Sequence, residues 1–238
     1  MTDSGEQGDE LAARLNQVAR DLHRADGEQG TMDAIVHAAV GTIPGAAHAG
    51  IMTIVSKRDI RTVATTDDVP RDADQVQYDT GQGPCLTALY QQKIVSAPDL
   101  ATESRWPLFA KRALDLKVTS MLSFRLYVEG DDLGALNLYS PEAHAFDEES
   151  EHVGLLFAGH AAVALARAQE REHLAESVQT RDLIGQAKGI LMERHKLTAD
   201  QAFHLLVRAS QQTNLKLRVL AERLTRTGEL PSPGSRRP

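Results

Sequence analysis

From Asp147 to His195 the chain contains no proline, and Val153, Leu156, Phe157, Val163, Leu174 and Val178 recur at helical separations. That run is too long for one ordinary globular helix. It predicts an exposed helical connector with imperfect heptads, in the manner of a coiled coil, joining a folded body before it to another after it. The two sides also differ in charge. Residues 171–238 hold 12 Lys and Arg against 7 Asp and Glu, whereas residues 1–170 hold 14 against 26. A small basic module on a larger acidic body suggests an output head suited to a polyanion and an input body that is not.

The stretch Arg181–Leu224 reads as three short amphipathic helices. In the first, Leu183, Ile184, Ala187, Ile190 and Leu191 form one apolar stripe over about Arg181 to His195. Gly189 interrupts it, at a cost of about 1 kcal/mol against alanine, which suggests close helix packing or a close partner backbone. Thr198-Ala199-Asp200-Gln201 has the form of a capping box opening the second helix, with Ala202, Leu205, Leu206 and Ala209 inward. Asn214 suits the N-cap of the third helix, whose inward residues are Leu217, Leu220, Ala221 and Leu224 and whose stop is Gly228. Lys188, Arg194, Arg208, Lys216 and Arg218 are left outward, and Ser210, Gln211 and Thr213 crowd the turn. Cations for phosphates beside short polar groups for bases would suit nucleic acid, and a solvated bundle surface is the competing reading.

The body before the connector alternates helical and strand patterns. Leu11, Leu15, Val18 and Leu22 predict a helix over 8–24, and Thr31 precedes a second with Ile35, Ala38, Ala39 and Ile43 on one face. AGIMTIVSKRDIRTVATT reads as two strands joined at Ser56–Asp59. Residues 66–80 are polar, with a short strand at Val76–Tyr78. TGQGPCLTALYQQ is a glycine turn entering a helix, with Pro84 at its first position. KIVSAP is a strand, and Trp106–Leu116 a helix using Leu108, Ala110, Ala113 and Leu114. The clearest signal is SMLSFRLYVEGDDLGALNLYS, a hairpin turning at Gly130-Asp131-Asp132. Its Leu122, Phe124, Leu126 and Val128 alternate with Met121, Ser123, Arg125 and Tyr127. These elements describe an α+β domain, an antiparallel sheet with helices on one side.

No segment approaches the length of an apolar membrane span, and MTDSGEQGDELAARL has no signal-peptide core, so a cytoplasmic protein is expected. One cysteine excludes an intrachain disulfide framework and a cysteine cluster for zinc. His144, His152 and His160 lack ligand spacing. Gly81-Gln82-Gly83 is not a dinucleotide fingerprint, and phosphate-loop, nucleophile-elbow and zinc-protease motifs are missing, so nothing points to an enzyme. Cys85 sits at the start of a predicted helix, where amide donors would lower its thiol pKa and suit redox sensing; the alternative is a small buried residue packing the turn.

Two stretches carry a family resemblance. TGQGPCLTALYQQKIVSAPDLATESRWPLF and DDLGALNLYSPEAHAFDEESEHVGLLFAGHAAVAL resemble the middle and end of a GAF domain. The likeness implies a sensor with a pocket between sheet and loops, which places Tyr78, Cys85, Trp106, Ser123 and Arg125 as candidate ligand contacts for a small-molecule effector of unknown identity. QAKGILM followed by LTADQAFHLLVRASQQTNLKLRVLAERL is similar to an ANTAR domain, in Gln186, Ala187, Lys188, Gly189, Ala202, Phe203, Leu206, Arg208, Ser210, Asn214 and Ala221. That resemblance implies a three-helix RNA-binding output of a transcription antiterminator, acting on paired stem-loops in nascent mRNA. Lys188, Gly189, Arg194, Arg208, Ser210, Gln211, Thr213, Asn214, Lys216 and Arg218 are its candidate RNA contacts. The expected layout is an N-terminal helix (1–29), a GAF-like sensor (30–165), a helical connector (166–180), an ANTAR bundle (181–228) and a disordered tail (229–238). A homodimer is expected from the connector. The competing functions are a DNA-binding regulator of helix-turn-helix type and a redox sensor built on Cys85.

Overall fold

A computed structural model describes residues 3–56, 59–90, 93–129 and 131–230. The chain separates into two compact units, Met1–Glu170 and Arg171–Pro238. The first holds α1 (Asp3–Arg24), α2 (Gly27–Thr42), β1 (His48–Ser56), β2 (Asp59–Thr65), α3 (Asp68–Thr80), α4 (Pro84–Tyr90), β3 (Ile94–Ala97), α5 (Pro107–Asp115), β4 (Ser120–Val128) and β5 (Asp131–Ser140). It also holds the start of α6 (Glu148–His195), a single helix of 48 residues whose later turns belong to the second unit. Among the described residues no helix is long and apolar enough to cross a membrane.

The five strands form one sheet in the order β2-β1-β5-β4-β3, with every neighbouring pair antiparallel. The hairpin alternation resolves into two cores, because successive strand residues face opposite sides. Leu122, Phe124, Leu126, Leu136 and Leu138 join Leu22, Ile35 and Phe157 from α1, α2 and α6. Met121, Ala135 and Tyr139 join Ala73, Leu89 and Phe109 from α3, α4 and α5. Helices therefore cover both faces, not one. The second layer escapes a hydrophobic-pattern reading because α3 buries Asp74 and Gln77 alongside Pro70 and Ala73.

That mixed inner face also accounts for the expected strand at Val76–Tyr78, which lies inside α3. Asp67 caps this helix, its side chain accepting from the Val69 backbone N–H, and Gly81 ends it in the left-handed region at φ 65°. Thr31 lies within α2, its hydroxyl bonded to the Gly27 carbonyl at 2.8 Å, rather than before the helix. In α5 the buried residues are Phe109, Ala110 and Ala113, while Leu108 and Leu114 are exposed. Gly130, the expected turn residue, lies outside the described residues.

In the second unit the last turns of α6 pack with α7 (Ala199–Thr213) and α8 (Leu217–Thr227) around Ala187, Leu191, Ala202, Leu206, Ala209, Leu220, Ala221 and Leu224. These were among the inward residues expected from the sequence. The capping box is formed: Thr198 Oγ1 accepts from the Gln201 backbone, and Gln201 Oε1 accepts from the Thr198 backbone. The expected first helix at Arg181–His195 has no start of its own; it is the end of α6. Of the tail expected to be disordered, Leu230 still packs against this core, and 231–238 lies outside the described residues.

Two glycines of α6 should behave oppositely. A methyl group at Gly154 would overlap the buried Phe124 ring, while one at Gly159 would meet nothing within 4 Å. Gly154→Ala should cost about 1–3 kcal/mol through overpacking. Gly159→Ala should gain up to about 1 kcal/mol of helix propensity. Urea unfolding of both variants checks the contrast.

Candidate functional site

A chain of polar groups runs through the core between the sheet and α3–α4. Its centre is Asp74, which is fully buried. Tyr139 donates to Asp74 Oδ1 at 2.5 Å, Thr62 to Oδ2 at 2.7 Å and Gln77 to Oδ1 at 3.1 Å. Gln77 also donates to Cys85 Sγ at 2.7 Å and accepts from the Cys85 backbone N–H at 3.0 Å. Ser123 reaches the same sulfur at 3.7 Å, and the Tyr78 hydroxyl lies 2.8 Å from that of Thr62. The turn between α3 and α4 fits closely over this set: Gly83 has φ 148°, and any side chain there would strike Gln77.

Asn137 occupies the same sheet face. It lies on β5 between Ala135 and Tyr139, paired with Ser123 on β4 and Gly50 on β1. It is fully buried, and neither its Oδ1 nor its Nδ2 has a partner among the described residues. A buried amide left unpaired is costly, which sets Asn137 apart from its satisfied neighbours on this face.

The electrostatics follow from burial. Desolvation lifts the Asp74 carboxyl to about 6, against the opposing pull of its hydrogen bonds from Tyr139, Thr62, Cys85 and Gln77. Burial, then the charge of Asp74, pushes the Cys85 thiol well up, and the Tyr139 hydroxyl shifts the same way for the same reasons. Tyr78 is raised by burial and by Asp74 as well. The lowered thiol pKa expected for Cys85 at a helix start is thus reversed. The thiol is fully buried, and the amide next to it is already engaged by Gln77. A thiol held protonated and covered lacks the reactivity of a redox sensor.

Of the expected ligand contacts, Tyr78, Cys85 and Ser123 therefore meet in one cluster. Trp106 lies buried in the same core, with the Arg105 guanidinium 4.2 Å above its ring. Arg125 is not part of the cluster: it grips Asp132 across the hairpin through two bonds of 2.8 and 2.6 Å. Asp74, Gln77, Asn137 and Tyr139 were missed. Asn137 and Tyr139 were readable in principle, because strand alternation sets them on the face of Ser123.

In the second unit, Gly189, Arg208, Gln211, Lys216 and Arg218 are exposed. Lys188 is half-buried, with its ammonium 5.9 Å from the centre of the Phe203 ring, and Phe203 is itself 38 % exposed. A methyl group at Gly189 would touch nothing in the chain, so packing within the bundle does not require glycine there. Arg194 is committed elsewhere, donating to the Gly228 carbonyl that ends α8. Ser210 donates to the Leu215 carbonyl at 2.5 Å and Thr213 to the Ala209 carbonyl at 2.7 Å, so both hydroxyl protons are spent inside the turn. Asn214 is not the N-cap of α8. It is the left-handed C-cap of α7 at φ 52°, and α8 starts after Lys216 without a side-chain cap. Asparagine tolerates that conformation better than most residues.

Residues 25–166 match the family model described as GAF domain, and residues 172–224 match the one described as ANTAR domain. No curated protein matches the chain significantly. The GAF domain of a phosphoenolpyruvate-protein phosphotransferase from Coxiella burnetii is 17 % identical, with a TM-score of 0.55, over 68 % of this chain and 96 % of that one. The corresponding Acinetobacter domain is 12 % identical at a TM-score of 0.56, over 68 % and 97 %. A bacteriophytochrome from R. palustris is 11 % identical at 0.60, over 86 % of this chain and 47 % of its own. At these identities the likeness is one of fold.

Asp74 gives the first unit a measurable pH signature. Its folded-state value of about 6 lies above the ordinary 3.8, so the folded protein takes up a proton that the unfolded chain does not. The stabilisation from this group is present at low pH and lost as pH rises through about 6. Between pH 7 and pH 5 the wild type should gain about 1 kcal/mol relative to Asp74→Asn. Urea titrations of the pair at both pH values check it, since other carboxylates cancel in the difference.

Proposed function

The chain belongs to the GAF domain family and carries an ANTAR domain behind it, and on that premise we propose that it is a non-enzymatic, signal-responsive RNA-binding antiterminator of the cytoplasm. In this reading residues 30–165 form the sensor, 166–180 a helical connector and 181–228 the output that engages stem-loops of nascent mRNA, with 1–29 and 229–238 flanking them. The observation that carries the reading is the joining of a sensor fold to a basic three-helix bundle through one helix, α6. A small-molecule effector is sensed by the first unit, and the second binds RNA.

The RNA contacts proposed are Lys188, Arg208, Lys216 and Arg218 for phosphates, with Gln211, Asn214 and the open backbone at Gly189 near bases or the loop strand. Gln211 and Arg208 are three apart on α7 and so neighbour one another on its surface. Phe203 joins this set. An exposed aromatic ring beside a lysine offers a stacking platform for an unpaired base, which a hairpin loop supplies. Ser210 and Thr213 act by shaping the turn that holds Asn214.

A homodimer is part of the proposal. Leu156, Val163, Leu174 and Val178 of α6 are between 41 and 65 % exposed, at separations of seven, eleven and four residues that return to one side of a helix. Val153, which also suggested a dimer seam in the sequence, is instead buried against the sheet. Two copies would match an RNA target with two stem-loops. Light scattering should give a mass near twice 25.9 kDa, and a monomer at tens of micromolar with RNA present argues against it.

Hairpin binding tests the output. Lys188→Ala and Arg208→Ala should each weaken binding to all hairpins and lower its salt slope by about one. Phe203→Ala should cost about 1–3 kcal/mol for an RNA hairpin with an unpaired loop. Duplex DNA bound as tightly as the hairpin at matched salt would favour the helix-turn-helix alternative instead.

A further inference from the structure

The buried cluster of the first unit carries a charge pattern that narrows what it can accept. Asp74 is held by four neutral groups: Tyr139, Thr62, Gln77 and the Cys85 thiol. Its carboxylate thus has donors but, among the described residues, no cation in contact. On the same face Asn137 presents an NH2 donor group and a carbonyl acceptor, neither with a partner among the described residues. Pro70 of α3 stands over the neighbouring Gly50, at 3.0 Å from an added methyl group, so the helix layer closes directly on the sheet beside the amide. The surroundings are apolar, with Met52, Ala73, Met121 and Ala135 buried in the same core.

A ligand entering here meets a carboxyl group, an amide and hydroxyls in a fully buried site. An anion would face like charge without a counter-ion and would lose its hydration, which is strongly unfavourable in such surroundings. A group with N–H donors gains an acceptor in Asp74 and a complementary edge in Asn137, because a carboxylate can accept on both oxygens and an amide can both give and take. A planar molecule best satisfies an amide edge and an aromatic-lined core together.

We propose that the sensor cluster binds a small, planar, non-anionic molecule bearing an amidine-like or amide-like N–H edge, with Asp74 and Asn137 as the residues that read it. The proposal rests on the reading of this unit as a small-molecule sensor and adds the chemical class. Aminopyrimidine, aminopurine and amidine compounds fall inside it; carboxylates and phosphates fall outside.

Three probes of nearly one shape separate the possibilities: benzamidine, benzamide and benzoate. Each is titrated into the full-length protein while the amide resonances of β5 and α3 are followed by NMR. Benzamidine and benzamide should bind, and benzoate should be weaker than benzamidine by at least about tenfold. Asp74→Asn should remove the advantage of benzamidine over benzamide, and Asn137→Ala should weaken both about tenfold. Benzoate binding as tightly as benzamidine overturns the ligand class while leaving the sensor pocket standing. Should no probe bind at millimolar concentration and Asn137→Leu raise the melting temperature, the amide is a packing or water-holding group only. The ligand class and the sensor reading at this cluster then fall together. Because either variant can unfold the domain, its sheet resonances are compared with the wild type's first, and Asn137→Ser and Asp74→Ser stand in where they differ.

Discussion

Burial of the sheet on both faces is the constraint from which the rest of the first unit follows. A sheet covered on one side alternates apolar and polar residues, and its polar side needs no internal partners. Here the second face is covered by α3, α4 and α5, so every polar residue on it must find a partner within the protein. Thr62, Ser123 and Tyr139 do so through Asp74 and Cys85. Asn137 does not. The cluster is therefore a consequence of the layering, and among the described residues Asn137 is its unsatisfied member.

The readable and unreadable parts of the sequence divide along the same physical line. The β4–β5 hairpin was legible because each residue's chemistry matches its face: Leu122 and Leu138 on one side, Met121 and Tyr139 on the other. The three-helix core was legible for the same reason, its small and leucine residues recurring at the helical period. α3 was not, because its inward positions include a carboxylate and an amide. The polar partners that make such a helix burial-competent are Thr62 of the preceding strand β2 and Tyr139 of β5, 65 residues further along the chain, and only the fold brings them onto one carboxylate. Asn214 illustrates another limit. Helix starts and left-handed helix ends favour asparagine alike, and only the backbone of the preceding turn, tied by Ser210 and Thr213, decides between them.

Charge was legible in sum and not in detail. The positive excess after residue 170 is a property of composition, yet individual cations divide between structure and surface. Arg194 closes the end of α8 and Arg125 braces a hairpin, so neither is available as the sequence alone had suggested. Arginine serves both purposes because its planar fork satisfies a carbonyl or a carboxylate as readily as a phosphate. The surviving basic set is smaller and includes Lys188 beside Phe203.

One strand connects the polar cluster with the helix that leaves the first unit. On β4, Ser123 points to Cys85, and the next residue, Phe124, points the other way, where its ring lies against Gly154 of α6. Gly154 has no side chain and the ring has no free space, so this contact has no slack to absorb a shift of the strand. Packed interiors resist compression and pass displacement on. A molecule that takes a place beside Ser123 and Asn137 and moves β4 must therefore also move the first turns of α6 or strain that contact. α6 is one hydrogen-bonded helix through to His195, three residues before Thr198 of the capping box that opens α7. The polar cluster and the start of α6 thus meet neighbouring residues, Ser123 and Phe124, on opposite faces of one strand.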